Sequence, residues 1–332
     1  MKKSFRRLLL FLLFASIFYY FSVRREINAF AYPVNITIEE GEGVYQIAKK
    51  LESFGLIKNK ITFLLHLYFS KNTSSIRAQS FTITQPYTTR ELTKILTESQ
   101  LLVPQEVRIT FLEGWTQRQY AKELDEQFVK GFGEQFLRLS SDATYAYDFL
   151  KSKPVDISLE GYLFPDTYNF YVNAYPGDVV IKLLDNFDSK LTPELREEIA
   201  RQGRSIHDVI TLASILEREV RSVEDKKLVA DIFYKRLGIG MALQADSTVN
   251  YATGKNDPSV LASDLKFDSP YNTYLYQGLP PGPISNPGLD SILAAVYPDN
   301  NEYWYFLTTL DTGEVIYSKT FDEHVNNKQK YL

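Results

Sequence analysis

The sequence contains no cysteine, and only three of its 332 residues are histidines. The lack of cysteine excludes disulfide bonds, thiol catalysis and cysteine-ligated zinc or iron–sulfur sites. The histidines, His66, His207 and His324, are widely spaced and form no HExxH pattern, so no metal site is predicted. A basic excess is lacking too: the formal net charge is −4, which argues against nucleic acid as the main partner.

Apolar side chains are plentiful. Apolar residues make up 44% of the sequence and aromatic residues 14%, enough to bury a real core, so wholesale disorder is not expected. A chain of 332 residues is long enough for about two domains.

The N-terminus carries an apolar run between two basic clusters. Residues 8–23 hold sixteen uncharged residues, with four basic residues before them and Arg24 and Arg25 after them. The run is typical of a signal peptide or a short membrane anchor, and the basic excess before it places the N-terminus in the cytoplasm. We favour a retained anchor, because the charged cluster 24–26 is unusual ahead of a cleavage site such as 29–31. The predicted location is the cytoplasmic (inner) membrane, crossed once, with the rest of the chain outside the cytoplasm.

A strand-turn-helix pattern occurs twice. Residues 34–51 and residues 107–124 each begin with alternating apolar residues, continue through a Glu-Gly pair and end with apolar residues at helical spacing. The copies lie 73 residues apart, too far for a solenoid array, and favour two small α+β units. The alternative is that the similarity is due to chance, because strand-turn-helix segments are common in α+β proteins.

The segment SIHDVITLASILERE (residues 205–219) predicts a helix that is apolar on every side and therefore buried. Its last turn carries Glu217 and Glu219, which point about 160° apart on a helix and so cannot form a facing pair. A carboxyl group held against apolar surface stays protonated near neutral pH and can act as a general acid. The alternative is an ordinary charged last turn with both carboxylates in water.

Two later segments concentrate polar and aromatic groups. LQADSTVNYATG (residues 243–254) is dense in hydrogen-bonding side chains. Residues 269–288 hold five prolines, three glycines and three tyrosines, a composition that predicts a long, stiffened loop. Such loops often form the walls of binding sites, and tyrosine rings with amide groups suit a polyhydroxylated, N-acetylated ligand. The alternative is that the rings pack this proline-rich loop (residues 269–288) onto the core.

Four segments, in this order and spacing, resemble the endolytic murein transglycosylases of the MltG (YceG-like) family: LEGYLFPDTY, ASILERE, LQADSTVNY and YNTYLYQGLPPGPISNPG. The resemblance implies an α+β protein made of an anchor (1–30), a LysM-like module (31–100), a second small α+β module or connector (101–155) and a mixed α/β catalytic domain (156–332). One departure concerns the first module, where Ala78-Gln79-Ser80-Phe81 replaces the family's usual A-G-T-Y-like tetrad. The loss of that glycine weakens the case for substrate binding by this module.

The resemblance also implies an activity. Members of the family that this chain resembles are membrane-anchored lytic transglycosylases. They cleave the β-1,4 bond between N-acetylmuramic acid and N-acetylglucosamine within glycan strands. They leave 1,6-anhydromuramoyl ends and terminate newly made strands. The expected partners are peptidoglycan strands, the cytoplasmic membrane and peptidoglycan synthases or division proteins, and no cofactor is needed. A hydrolytic muramidase and a non-catalytic peptidoglycan-binding scaffold are the alternatives.

The family's catalytic glutamate falls on Glu217. Ordinary glycosidases need two carboxyl groups, whereas here the muramoyl 6-hydroxyl is the nucleophile, so Glu217 alone is expected to protonate the leaving oxygen and then accept the hydroxyl proton. Glu219 is expected to be a supporting or structural neighbour. His324 either lines the cleft or, as we favour, packs near the surface.

Six residues of the two later segments are predicted to bind the sugar rings and to stabilise charge. They are Gln244, Asp246, Thr248, Tyr271, Asn272 and Tyr274. For Asp246 a role as a cap or turn former is an equal alternative.

Overall fold

The computed structural model of the chain describes residues 26–27, 34–70, 76, 78–83, 86–97, 106–142, 144–172, 174–255, 260–309 and 311–331. It divides into two compact units between Gln105 and Glu106. The anchor predicted at residues 8–23 lies outside the described residues. Among the described residues, no helix has the length and apolar character that a membrane crossing requires.

The first unit is a small α+β fold with antiparallel strand pairs. In chain order its elements are β1 (Glu26–Ile27), β2 (Val34–Thr37), α1 (Val44–Ser53), α2 (Lys60–Phe69), β3 (Ser80–Ile83), β4 (Tyr87–Thr88) and α3 (Thr89–Thr97). Strand β2 pairs with β3, which brings Ile36 opposite Phe81, and β1 pairs with β4. Ile36 and Phe81 are buried together with Leu51, Phe63 and Leu67, so the β2–β3 pair and the helices of this unit share a core of their own.

The second unit is mostly helical. Its helices are α4 (Gln117–Gln127), α5 (Phe132–Asp142), α6 (Pro176–Lys190), α7 (Pro193–Arg201), α8 (Ile206–Glu219), α9 (Val223–Gly238), α10 (Asp246–Thr253), α11 (Leu289–Val296) and α12 (Phe321–Tyr331). Its strands are β5 (Glu106–Thr110), β6 (Thr167–Tyr171), β7 (Tyr305–Thr308) and β8 (Val315–Ser318). Both strand pairs, β5 with β6 and β7 with β8, are antiparallel. The mixed α+β class predicted from the sequence is confirmed.

Both predicted strand-turn-helix starts are present. Gly41 lies between β2 and α1 with φ of +84°, and Gly114 lies between β5 and α4 with φ of +76°. Glycine adopts this left-handed conformation without the strain that a Cβ atom causes. The two Glu-Gly pairs therefore make the same kind of turn, and the second of them borders the candidate site.

The boundary predicted between residues 155 and 156 does not separate two compact units. Strand β5 lies before this boundary and β6 after it, and the two pair along their whole length. Tyr120 of α4 also donates a hydrogen bond to the carbonyl oxygen of Leu163 at 3.2 Å. Local patterns identify β5 as a strand, but its partner lies some 57 residues further along the chain.

Helix α8 is the centre of the second unit. Its N-terminus is capped by Ser205, whose hydroxyl accepts a hydrogen bond from Asp208 N at 3.0 Å. Every residue from Val209 to Leu216 is buried, which confirms the prediction of a helix enclosed on all sides. Ser214 ties the proline-rich loop to this helix: its hydroxyl accepts from Ile284 N, and its carbonyl oxygen accepts from the Ser285 hydroxyl. The loop is thus held along the helix that ends in Glu217.

Candidate active site

The carboxyl group of Glu217 is held by three donors from two other helices. One oxygen, Oε1, lies 3.2 Å from Lys226 Nζ. The other, Oε2, accepts hydrogen bonds from Ser291 Oγ at 2.6 Å and from Gly288 N at 3.0 Å. The side chain is 9% exposed, so both oxygens are fixed close to the surface. The carboxyl group lies among hydrogen-bond donors, not against the apolar surface that the pattern of α8 favours.

Local structure explains where these donors come from. Ser222 caps α9 by accepting from Asp225 N at 3.0 Å, and this places Lys226 in the first turn of the helix. The Lys226 side chain is only 5% exposed, and a buried ammonium group requires a counter-charge. Gly288 is the N-cap of α11 and Ser291 lies in its first turn. Unpaired N–H groups at a helix N-terminus favour a negative charge, so α11 directs its positive end at Glu217.

The Glu-Gly turn formed by Glu113 and Gly114 makes another wall of the site. A Cβ atom built on Gly114 would lie 3.5 Å from Cγ of Glu217. The turn is joined to the proline-rich loop by two backbone hydrogen bonds: Gly114 N donates to Asn286 O, and Asn286 N donates to Trp115 O, each at 2.9 Å. The second copy of the repeated turn therefore lies directly beside the candidate catalytic carboxyl group.

Asn286 connects three of the sequence motifs. Its side chain is fully buried, and Oδ1 accepts from Gly161 N at 2.9 Å and from Leu163 N at 3.2 Å. Nδ2 donates to Trp115 O at 3.0 Å and to Glu160 Oε1 at 3.1 Å. One amide thus fixes the LEGYLF segment and the Glu-Gly turn to the proline-rich loop.

Glu160 is the buried acid of this network. Its Oε1 also accepts from Gln117 N at 2.9 Å. Burial raises the pKa of Glu160 from its usual 4.5 to about 8, so it remains protonated at neutral pH. A protonated carboxyl group adds no charge to the region around the site.

This shift predicts how stability depends on pH. The folded-state pKa of Glu160 lies above the unfolded one, so its contribution is fully present at low pH and is lost as pH rises toward about 8. Between roughly pH 5 and 8 the unfolding free energy of the wild-type chain should therefore fall by about 3 kcal/mol. The Glu160→Gln variant should not show this loss. Urea unfolding of both chains at each pH measures this difference. Parallel pH profiles for the two chains would contradict it.

Glu219 has different partners from Glu217, as the helix geometry predicts. It is half-buried, and its Oε1 accepts from Ser247 Oγ at 2.6 Å and from Ser247 N at 3.2 Å. Burial raises the pKa of Glu219. Since Ser247 lies in the first turn of α10, Glu219 fixes the start of that helix.

Two of the predicted sugar-binding residues use their side chains inside the protein. Thr248 is fully buried, and its hydroxyl donates to Ala245 O at 2.7 Å. Asn272 is also fully buried, and its amide donates to Leu265 O at 3.0 Å and to Phe267 O at 2.9 Å. These contacts hold the two loops in shape.

The other four predicted residues lie nearer the surface. Tyr274 donates from its hydroxyl to Asp246 Oδ1 at 2.6 Å, which ties the proline-rich loop to the start of α10. Tyr271 is half-buried against the Tyr251 ring, with ring centres 5.0 Å apart. Gln244 is exposed and has a φ of +54°, a conformation that non-glycine residues adopt rarely.

His324, whose role the sequence leaves between cleft and surface, stacks on Tyr305 with ring centres 5.4 Å apart. It lies in α12, and partial burial lowers its pKa.

A cavity of about 520 Å³ opens between the start of α4 and the end of α10. Its lining includes the cationic side chains of Arg118, Arg218 and Lys255. Arg218 directly follows Glu217, so the cavity extends along the same end of α8. Its positive lining suits a ligand that carries carboxylate groups.

Sequence reasoning missed the residues that surround Glu217: Glu113, Lys226, Gly288 and Ser291. Only Glu113 and Gly288 lie in segments that the sequence singles out, and there as turn and loop residues. No local signal marks Lys226 or Ser291, because each reaches Glu217 through the packing of a separate helix.

The second unit therefore presents one ordered carboxylate at the junction of a buried helix, a helix N-terminus and two loops, the arrangement of a carboxyl-dependent site. The chain belongs to the YceG-like family, whose pattern it matches over residues 36–330.

Curated relatives agree with this assignment. The endolytic murein transglycosylase of Bacillus subtilis (strain 168) is 33% identical over 310 residues, which cover 90% of this chain and 85% of that protein. The endolytic murein transglycosylase of Streptococcus pneumoniae (strain D39) is 31% identical over 323 residues, 90% of this chain and 58% of the longer relative.

The fold also matches a solved structure. A YceG-like protein of Listeria monocytogenes superposes with a TM-score of 0.61 at 32% identity, over 89% of this chain and 99% of that one.

Proposed function

We propose that this chain is an endolytic lytic transglycosylase of peptidoglycan. It cleaves the β-1,4 bond between N-acetylmuramic acid and N-acetylglucosamine inside glycan strands, leaves 1,6-anhydromuramoyl ends and so terminates strand elongation. The observation that carries the proposal is the fixed carboxyl group of Glu217, held by Lys226, Ser291 and Gly288. The relatives named as transglycosylases support the choice of substrate.

The chemistry requires two proton transfers. The bond between the muramoyl C1 and the leaving O4 breaks while a bond from the muramoyl O6 to C1 forms. The leaving oxygen gains a proton, and the 6-hydroxyl loses one. In the simplest scheme Glu217 performs both transfers as the catalytic residue, because it is acid and then base in turn. Water is not a reactant, so the new end is one water lighter than a hydrolysed end.

The substrate would lie along the proline-rich loop and the start of α10. There we assign Gln244, Asp246, Tyr271 and Tyr274 to the sugar rings, because their side chains lie nearest the surface. Thr248 and Asn272 act by holding the loops in the shape that receives the glycan. Arg218 and the other cationic side chains of the cavity would bind the carboxylates of the muramoyl peptide stems.

The first unit is proposed to bind peptidoglycan as a LysM-like module. Two helices between the paired strands β2 and β3 support this reading. Residues 8–23 would anchor the chain in the cytoplasmic membrane, and peptidoglycan synthases or division proteins would be its partners there.

A digest of purified glycan strands with the full-length chain in detergent micelles tests the activity. We expect the mean strand length to fall before disaccharides accumulate, because cleavage is internal. Binding to strands without shortening them would favour the scaffold alternative and contradict the proposal. Early disaccharide release would contradict its endolytic part.

A further inference from the structure

A second carboxyl group, that of Glu113, lies beside the same residue, Gly288, as the carboxyl group of Glu217. Both border Gly288: its backbone N–H donates to Glu217 Oε2, and a Cβ atom built on its other side would lie 2.0 Å from Glu113 Oε1. The residue after Glu113 is Gly114, where an added Cβ atom would lie 3.5 Å from Glu217 Cγ. The Glu-Gly turn between β5 and α4 therefore brings the carboxyl group of Glu113 to the end of α8.

The two carboxyl groups have opposite surroundings. Both oxygens of Glu217 are bonded, one of them to an ammonium group. In the part of the chain that the structure describes, the Glu113 carboxyl group has no hydrogen bond and no ion pair, and the residue is exposed. Its oxygens are therefore open to a ligand, whereas those of Glu217 are already engaged.

Most of the surroundings of Glu113 raise its pKa. Partial removal from water raises the pKa of Glu113, and the negative charge of Glu217 raises it further. Lys226 acts against this shift and Asp290 adds to it. A carboxyl group with a raised pKa keeps its proton to a higher pH, as a general acid must.

We propose that Glu113 is the general acid of a two-carboxyl site in which Glu217 is the base. This rests on the proposed function and replaces its single-residue scheme. Protonated Glu113 donates to the leaving O4 as the bond from C1 to O4 breaks, and ionised Glu217 takes the proton of the 6-hydroxyl as O6 bonds to C1. One proton then passes from Glu217 back to Glu113, so each cycle consumes none.

The first test is Glu113→Gln on glycan strands. We expect kcat to fall by about 10²- to 10³-fold, the usual contribution of a general acid. Wild-type activity should fall as pH rises and Glu113 ionises, and this alkaline limb should be absent in the variant. Glu126→Gln, an exposed glutamate on α4, is the matched control and should retain wild-type kcat. Wild-type kcat in Glu113→Gln would overturn the proposal.

An activated leaving group separates an acid from a merely structural residue. A muramoyl glycoside of nitrophenol needs no proton on its leaving oxygen, so Glu113→Gln should cleave it within a few-fold of wild type. Glu217→Gln should remain inactive on it, since the 6-hydroxyl still needs a base. Equal losses for Glu113→Gln on both substrates would overturn the acid role. Failure of the wild-type chain on both substrates would instead overturn the proposed function.

Gly288→Ala provides an independent probe, because it moves Glu113 without changing it. Gly288 has a φ of −72°, which alanine adopts freely, and the three heavy atoms nearest to the added methyl group all belong to the end of the Glu113 side chain. We expect a loss of kcat close to that of Glu113→Gln, and no further loss when the two changes are combined. Additive losses would overturn the proposal.

Discussion

Glu217→Gln is expected to reduce kcat on glycan strands by at least about 10³-fold, because it removes the group that takes the hydroxyl proton. Glutamine keeps the shape of the side chain and can still accept from Ser291 and Gly288. The variant should therefore bind strands as well as the wild-type chain. Rates of strand shortening, measured at saturating substrate, give the size of the loss.

Two controls define this result. Glu224→Gln changes an exposed glutamate on α9, the helix that carries Lys226, and should leave kcat unchanged. Circular dichroism of Glu217→Gln must show folded protein, because the change also leaves Lys226 buried without its counter-charge. A folded Glu217→Gln variant with wild-type kcat would show that another group does the chemistry.

Lys226→Met is expected to have the second largest effect, on stability and on activity together. The change leaves the carboxylate of Glu217 near the surface without its ammonium partner, and breaking such a buried pair costs about 3 kcal/mol. The change would also release Oε1 of Glu217 from the contact that positions it, so kcat should fall as well. Urea unfolding measures the first effect and kcat the second.

A double-mutant cycle tests the pair itself. Combined with Glu217→Gln, Lys226→Met should cost much less than the sum of the two single changes, because neither charge is then left alone. Additive losses of unfolding free energy would mean that Lys226 and Glu217 do not stabilise each other.

Several elements could be predicted because their signals are local. The repeated Glu-Gly turns, the Ser205 cap and the burial of α8 each depend on residues within one or two turns of chain. The opposite directions of Glu217 and Glu219 likewise follow from the pitch of a single helix.

The surroundings of Glu217 could not be predicted in the same way. The apolar run before it suggests an apolar environment, but Lys226 and Ser291 come from α9 and α11, whose positions depend on tertiary packing. The acid at Glu113 is equally hidden, because its turn lies more than a hundred residues before Glu217 in the sequence. Sequence reasoning identified the turn and the glutamate separately and could not bring them together.

The polar residues of the two loops show a second limit. A long irregular segment has few backbone partners, so its buried N–H and C=O groups must be bonded by side chains. Asn272 and Thr248 serve that need. Their residue types also suit sugar recognition, and composition alone does not distinguish the two roles.

The most direct measurement of the central claim is the chemistry of the new strand end. Glycan strands are digested by the full-length chain in water enriched in heavy oxygen, and the ends are analysed by mass spectrometry. If the muramoyl 6-hydroxyl is the nucleophile, the new ends contain no heavy oxygen and are lighter than reducing ends by one water. Reducing ends that carry the heavy oxygen would show that water attacks, and that the chain is a muramidase.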